Sequence, residues 1–153
     1  MSKRETPMIF NYWRRVGGTL VTEFPAVQRS DSSGPRRLDA IIIAGGVNRQ
    51  VHWREVSLAD KDVIVIQAKA HRLGMYLMGQ ALFSAELVRP FNPRSVRSVA
   101  LCSKDDSTLR ALLDPYPHVE VVVLSRHEVL QGVGDEHSDP ATSLPSGGVT
   151  GGR

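Results

Sequence analysis

One α/β domain, with a mixed central sheet flanked by helices, follows from three features of the sequence. The chain has 153 residues, 41% of them hydrophobic and 23% charged, the balance of a single globular unit. Stretches rich in β-branched residues alternate with stretches of helical spacing, and the later strand-helix-strand order calls for parallel crossovers. Core-forming residues end near residue 131. Residues 132–153 hold six of the thirteen glycines and only four apolar residues, so they read as a disordered Gly/Ser/Pro-rich tail.

Taken in order, IFNYWRRV at 9–16 predicts a short helix closed by Gly17-Gly18. TLVTEFPAV at 19–27 predicts a strand in which Leu20, Thr22 and Phe24 alternate with Val21, Glu23 and Pro25, the proline marking an edge or a strand end. RSDSSGPRR at 29–37 is a polar loop, and LDAIIIA at 38–44 is a second strand. Residues 47–61 are weakly patterned and predict a hairpin arm or loop. DVIVIQAKA at 62–70 is the clearest strand, its apolar run implying burial on both faces. LGMYLMGQALFSAELV at 73–88 allows four helical turns, with Leu73, Leu77, Ala81, Ala85 and Val88 on one stripe and Tyr76 and Phe83 as packing residues. A strand at 98–102, a helix at 107–113 and a strand at 120–124 complete an α-β-β-β-α-β-α-β order.

Nineteen Lys and Arg against sixteen Asp and Glu give a formal charge of +3. Residues 1–131 hold 18 bases and 13 acids, so the folded part is more basic than the whole, and seven bases against three acids precede Leu38. An anionic partner fits this balance. One cysteine, Cys102, excludes an internal disulfide and a thiolate-rich zinc site. The apolar runs fall short of a bilayer span and the first residues lack a secretory pattern; a soluble, intracellular protein of the cytoplasm is expected, without membrane association. No HxxxH, GxSxG or GxxxxGK[ST] occurs.

The chemistry-bearing feature is a set of polar residues where apolar ones belong. Gln67 and Lys69 lie two apart near the end of the 62–70 strand and so share a face. A lysine at such a position needs a charged partner. Asp39 opens another apolar strand and poses the same problem. A shared solution brings Asp39, Gln67 and Lys69 together on adjacent strands. Each also has a plain reading: Asp39 as a strand-start residue, Lys69 snorkelling from a strand end, and Gln67 bonding a backbone group.

Asp39 in RRLDAIII followed by Gln67 and Lys69 in VIVIQAK resembles the PD-(D/E)XK nuclease superfamily, over about Tyr12 to Leu124. The resemblance implies a restriction-endonuclease-like fold with an α-β-β-β-α-β core and Mg²⁺- or Mn²⁺-dependent hydrolysis of DNA phosphodiesters. It implies Asp39, Gln67 and Glu23 as metal ligands, with Glu23 in LVTEFPA as the family's upstream acid, and Lys69 to orient water or stabilise phosphate charge. Gln80 on the following helix matches a glutamine that some members place near the metal; on pattern alone it also reads as a solvent-boundary residue. Two departures are Leu38 before the aspartate, where the family has proline, and Gln67 for the second acid, which removes a negative charge but leaves an amide oxygen.

Arg14, Arg15, Arg29, Arg36 and Arg37, with Tyr12 and Trp13 among them, are the nucleic-acid-binding candidates. A homodimer or a larger complex is expected, because cutting both strands of a duplex takes two sites. Gln67 separates this nuclease from the alternative, a catalytically inactive nuclease-fold subunit that binds nucleic acid or a protein partner. An unrelated α/β interaction domain would leave Asp39 and Lys69 far apart.

Overall fold

Pro7, with its fixed φ and no amide hydrogen to leave unpaired, starts the first helix, α1 (Thr6–Val16), three residues earlier than the apolar spacing predicts. The structure is a computed structural model that describes residues 1–125, 127 and 128. The tail expected at 132–153 lies outside the described residues.

Three antiparallel strands follow: β1 (Thr19–Val27), β2 (Arg36–Ile43) and β3 (Asp62–Arg72). Helix α2 (Met75–Val88) then crosses to β4 (Ser95–Lys104), and the short α3 (Ser107–Ala111) crosses to β5 (Val119–Val123), both strands parallel to β3. The five-stranded sheet has the order β1-β2-β3-β4-β5. This is the expected mixed α/β architecture. β4 starts earlier than predicted because Asp62, at the head of β3, binds Arg94 and accepts from Ser95 Oγ at 2.7 Å. The Arg94 guanidinium holds the Asp62 carboxyl down at about 2.

Period-two alternation on β3 divides the core between the two faces. Ile64, Ile66 and Ala68 pack with Met8, Ile9 and Tyr12 of α1, whereas Val63 and Val65 turn to the opposite side with Val21, Ile41 and Val88. Farther along that side, Leu77, Met78 and Ala81 of α2 cover Ala100, Cys102 and Val121. Each large side chain so buried stabilises the fold by roughly 1.5–3 kcal/mol. Leu73, Leu77, Ala81, Ala85 and Val88 are all buried, as their stripe predicts. Tyr76 and Phe83 are not packing residues: they are 72% and 67% exposed. α2 carries apolar residues around its whole circumference, and the sheet can cover only one side of it.

Residues 47–61 form a loop with a 3-10 turn at Trp53–Glu55. Its first part lies along β1, where Leu20 N–H donates to Arg49 O at 3.0 Å and Val51 N–H donates to Leu20 O at 2.9 Å. Among the described residues no helix is long and apolar enough to cross a membrane. The antiparallel turn between β2 and β3 brings the start of β2 beside the end of β3, and α1 begins against that same end.

Candidate functional site

The site is built at a break in the pleat of β1 and β2. Thr22 pairs with Ala40 and Phe24 with Leu38, so regular alternation would put Phe24 on the side of Leu20 and Leu38 on the side of Ala40. Instead Phe24 and Leu38 join Val21 and Ile41 on the α2 face, while Leu20 and Ala40 face α1. The residues at the break are Glu23 and Asp39. Glu23 has a left-handed backbone, φ 52, which overturns the alternation expected through Leu20, Thr22 and Phe24. For a residue with a Cβ this conformation costs about 1–2 kcal/mol, and such strain gathers at functional sites.

Asp39 is mostly buried, its side chain 13% exposed, and Oδ2 accepts a hydrogen bond from Ala68 N–H at 2.9 Å. Burial raises its carboxyl above the ordinary range, against the opposing pull of that bond and of the Lys69 charge. Glu23 is more open. The amino group of Met1 lies between the two acids, 3.0 Å from Glu23 Oε1 and 3.9 Å from Asp39 Oδ1. The two carboxylates thus lie within 4 Å of a common point.

Lys69 Nζ lies 3.3 Å from Glu5 Oε1, and Glu5 also accepts from Ser2 N–H at 2.7 Å. Burial pushes the Glu5 carboxyl up, but the bonds from Ser2 and Lys69 outweigh it and the net shift is downward. Glu5 was not foreseen. It precedes α1 in a segment, RETP, without apolar periodicity; the usable signal was Lys69 itself, which needed an acid from some neighbouring element. Gln67 is buried and turns the other way, its Nε2 donating to Ser84 Oγ on α2 at 2.8 Å. The two residues expected to share a face therefore have different partners: Gln67 is packed under α2, while the longer Lys69 reaches from the strand end to the foot of α1. The Gln67 bond engages the amide nitrogen rather than the oxygen.

Gln80 lines a groove of about 460 Å³ together with Gln67, Ser84, Arg36, Arg37 and Phe83. Its Oε1 is buried without a hydrogen-bond partner among the described residues. Arg36 and Arg37 are exposed at the head of β2, Arg37 donating to Glu23 O at 3.2 Å. Arg29 and Arg37 line a second hollow, with Trp53 and Arg54. Arg14 and Arg15 stand apart from these, about 15 Å along the α1 axis from Glu5, and Arg15 pairs with Glu128 at 3.0 Å. Among the described residues, no three His, Cys, Asp or Glu side chains converge tightly enough to hold a metal ion by themselves.

No protein-family model and no curated protein matches the chain. Among solved structures it superimposes on a repair endonuclease from Pyrococcus abyssi with a TM-score of 0.53 at 13% identity, covering 82% of this chain and 47% of that one. The sheet and its flanking helices share their fold with about half of that chain. The EndoMS-dsDNA2 complex matches similarly, with a TM-score of 0.51 at 16% identity over 81% of this chain and 44% of that one. The chain thus spans about half the length of each. Within this fold Glu23, Asp39 and Lys69 lie at the rim formed by the start of β2 and the end of β3.

The strain at Glu23 has a consequence for stability. Glycine adopts φ 52 freely, so Glu23→Gly should leave the melting temperature unchanged or raise it by a few degrees. A lower melting temperature would show that the Glu23 side chain stabilises the fold.

Proposed function

We propose that this domain is a divalent-cation-dependent nuclease of the PD-(D/E)XK type that hydrolyses DNA phosphodiesters. The observation that carries the reading is the convergence of two acids, Glu23 and Asp39, whose Oε1 and Oδ1 lie 3.0 and 3.9 Å from one common atom, with Ala68 N–H bound to Asp39 and Lys69 next to it in sequence. The donors are all oxygens, which suits Mg²⁺ or Mn²⁺. Mg²⁺ is commonly held by one or two carboxylates together with substrate phosphates and water.

Asp39 and Glu23 would hold the ion; Gln67 would add its amide oxygen as a neutral third donor only by turning from Ser84, to which it is bonded, toward Asp39. When bound, the ion supplies Lewis-acid stabilisation of the charge that develops on the phosphate. Lys69 presents an ammonium beside the reacting phosphate, where it orients the attacking water or stabilises the extra charge. Glu5 holds that ammonium in place and is a positioning residue. Arg36 and Arg37, exposed at the head of β2, take flanking phosphates. The solved complex of similar fold named for double-stranded DNA supports DNA as the polymer.

Incubation of the protein with supercoiled plasmid and with single-stranded circular DNA, with Mg²⁺ or with EDTA, tests this. Cleavage that requires the ion is expected, and Gln67→Glu should increase it several-fold by adding a ligand charge. A second reading, a nucleic-acid-binding subunit without catalysis, draws on the engagement of Lys69 by Glu5 and of Gln67 by Ser84. It predicts DNA binding with no cleavage and no gain from Gln67→Glu.

A further inference from the structure

Beyond the C-terminal ends of β3, β4 and β5 lies a hollow of about 610 Å³, lined by His71, Arg72, Ser103, Lys104, Ser125 and His127. We propose that it binds a backbone phosphate of the nucleic acid, one or more nucleotides away from the phosphate at Asp39 and Lys69. The inference rests on the reading of the domain as one that acts on nucleic acid, and it adds a contact on the side away from Arg36 and Arg37.

The chemistry of the lining is one-sided. Arg72 and Lys104 carry fixed positive charges, the two imidazoles offer N–H donors, and the two serines offer hydroxyls, a set suited to a phosphate oxyanion. The neighbouring acids are already engaged. Asp105 binds Arg110 Nε at 3.0 Å, and Glu128 binds Arg15 at 3.0 Å and accepts from Ser125 N–H at 2.8 Å. Arg72 donates to the backbone oxygen of Asp105 at 2.6 Å, and the Asp105 carboxylate nearby is itself bonded to Arg110. Among the described residues neither Arg72, Lys104, His71 nor His127 takes part in an ion pair.

Sheet topology gives the hollow its relation to the candidate site. Arg72 and Lys104 are register partners on β3 and β4, and His71 lies two residues past Lys69, about 7 Å along the strand. β2, which carries Arg36, Arg37 and Asp39, flanks β3 on one side, and β4 and β5 flank it on the other. A nucleic-acid strand crossing this rim meets arginines at one end, the acids and Lys69 in the middle, and this hollow at the other end.

The test is the double variant His71→Gln, Lys104→Gln, with circular dichroism melting to establish that it folds. Binding of a fluorescent DNA duplex is measured in EDTA across a salt series. Affinity should fall about tenfold, and the slope of log K against log salt should lessen by about one, the signature of a lost phosphate contact. The control Lys61→Gln, exposed just before β3 at the opposite end of that strand, should change the affinity much less. Unchanged affinity and slope in the double variant would overturn the site while leaving the nuclease reading intact. Salt-sensitive binding that the double variant weakens, in a protein that never cleaves, would support the site and count against the nuclease. If wild-type protein binds no nucleic acid, both fail. Binding of inorganic phosphate by wild type but not by the double variant, with duplex affinity the same for both proteins, would assign the hollow to free phosphate and overturn the backbone reading.

Discussion

On the proposed nuclease reading, Asp39→Asn should lower Mg²⁺-dependent cleavage by at least a hundredfold while leaving the fold intact. The substitution is nearly isosteric, and an asparagine oxygen can still accept the Ala68 N–H bond that Oδ2 accepts at 2.9 Å. What is lost is the charge, and with it one of the two carboxylates that would hold the cation; removal of a comparable electrostatic group typically costs a hundred- to a thousandfold in rate. The pH dependence has a definite sign. Burial raises the Asp39 carboxyl, so the folded protein retains this proton to a higher pH than the unfolded chain does. The stability contribution from this group is therefore present at low pH and declines as pH rises through the interval between the two values. Asp39→Asn lacks that decline, and in the wild type a bound divalent cation should oppose it. Melting curves of both proteins from acid to neutral pH, with and without Mg²⁺, measure these effects. A variant that cleaves like the wild type would end the assignment of Asp39.

Gly18→Ala should be the most damaging of the glycine substitutions to the fold. Gly18 has φ +89, and a Cβ placed there would meet Ile43 O at 2.5 Å and Ile42 Cγ2 at 3.0 Å. Neither obstacle yields easily, since one is backbone and the other is a branched side chain of the buried strand β2. Gly18 O also accepts the indole N–H of Trp13 at 2.7 Å, which ties the end of α1 to the start of β1. Backbone strain and the clash together should cost about 3 kcal/mol and lower the melting temperature by roughly 10 °C. Gly79→Ala provides the contrast. It lies inside α2 with nothing within 4 Å of its added Cβ, so removing a mid-helix glycine should stabilise the protein by roughly 0.5–1 kcal/mol. Equal effects of the two substitutions would refute the packing at the α1–β1 junction.

The parts of the fold that were legible in the sequence are those where one strong pattern governs. The apolar run of β3 announced a central strand, and Leu73, Leu77, Ala81, Ala85 and Val88 announced the buried side of α2. Asp39 stood out because a carboxylate opening an apolar strand has few ordinary explanations. Other features were hidden for physical reasons. Glu5 stands before α1, where no periodicity operates, and only the fold brings it to Lys69, 64 positions away. The left-handed turn of the backbone at Glu23 cannot be read from LVTEFPA, because nothing in that string favours a positive φ. The exposure of Tyr76 and Phe83 was concealed by a helix apolar on every side, for which composition does not say which side meets the sheet.

The loop that runs along β1 matters for a hazard that any exposed sheet edge carries. An unpaired edge strand is a template on which another chain can add a strand. β1 is the outer strand on the side of Glu23 and Asp39, and it is closed at both ends. Near its start, Leu20 already exchanges backbone hydrogen bonds with Arg49 and Val51. Near its end, Pro25 has no N–H to offer, and the register shifts between Pro25 and Val27. The margin beside the two acids is thereby protected from strand addition.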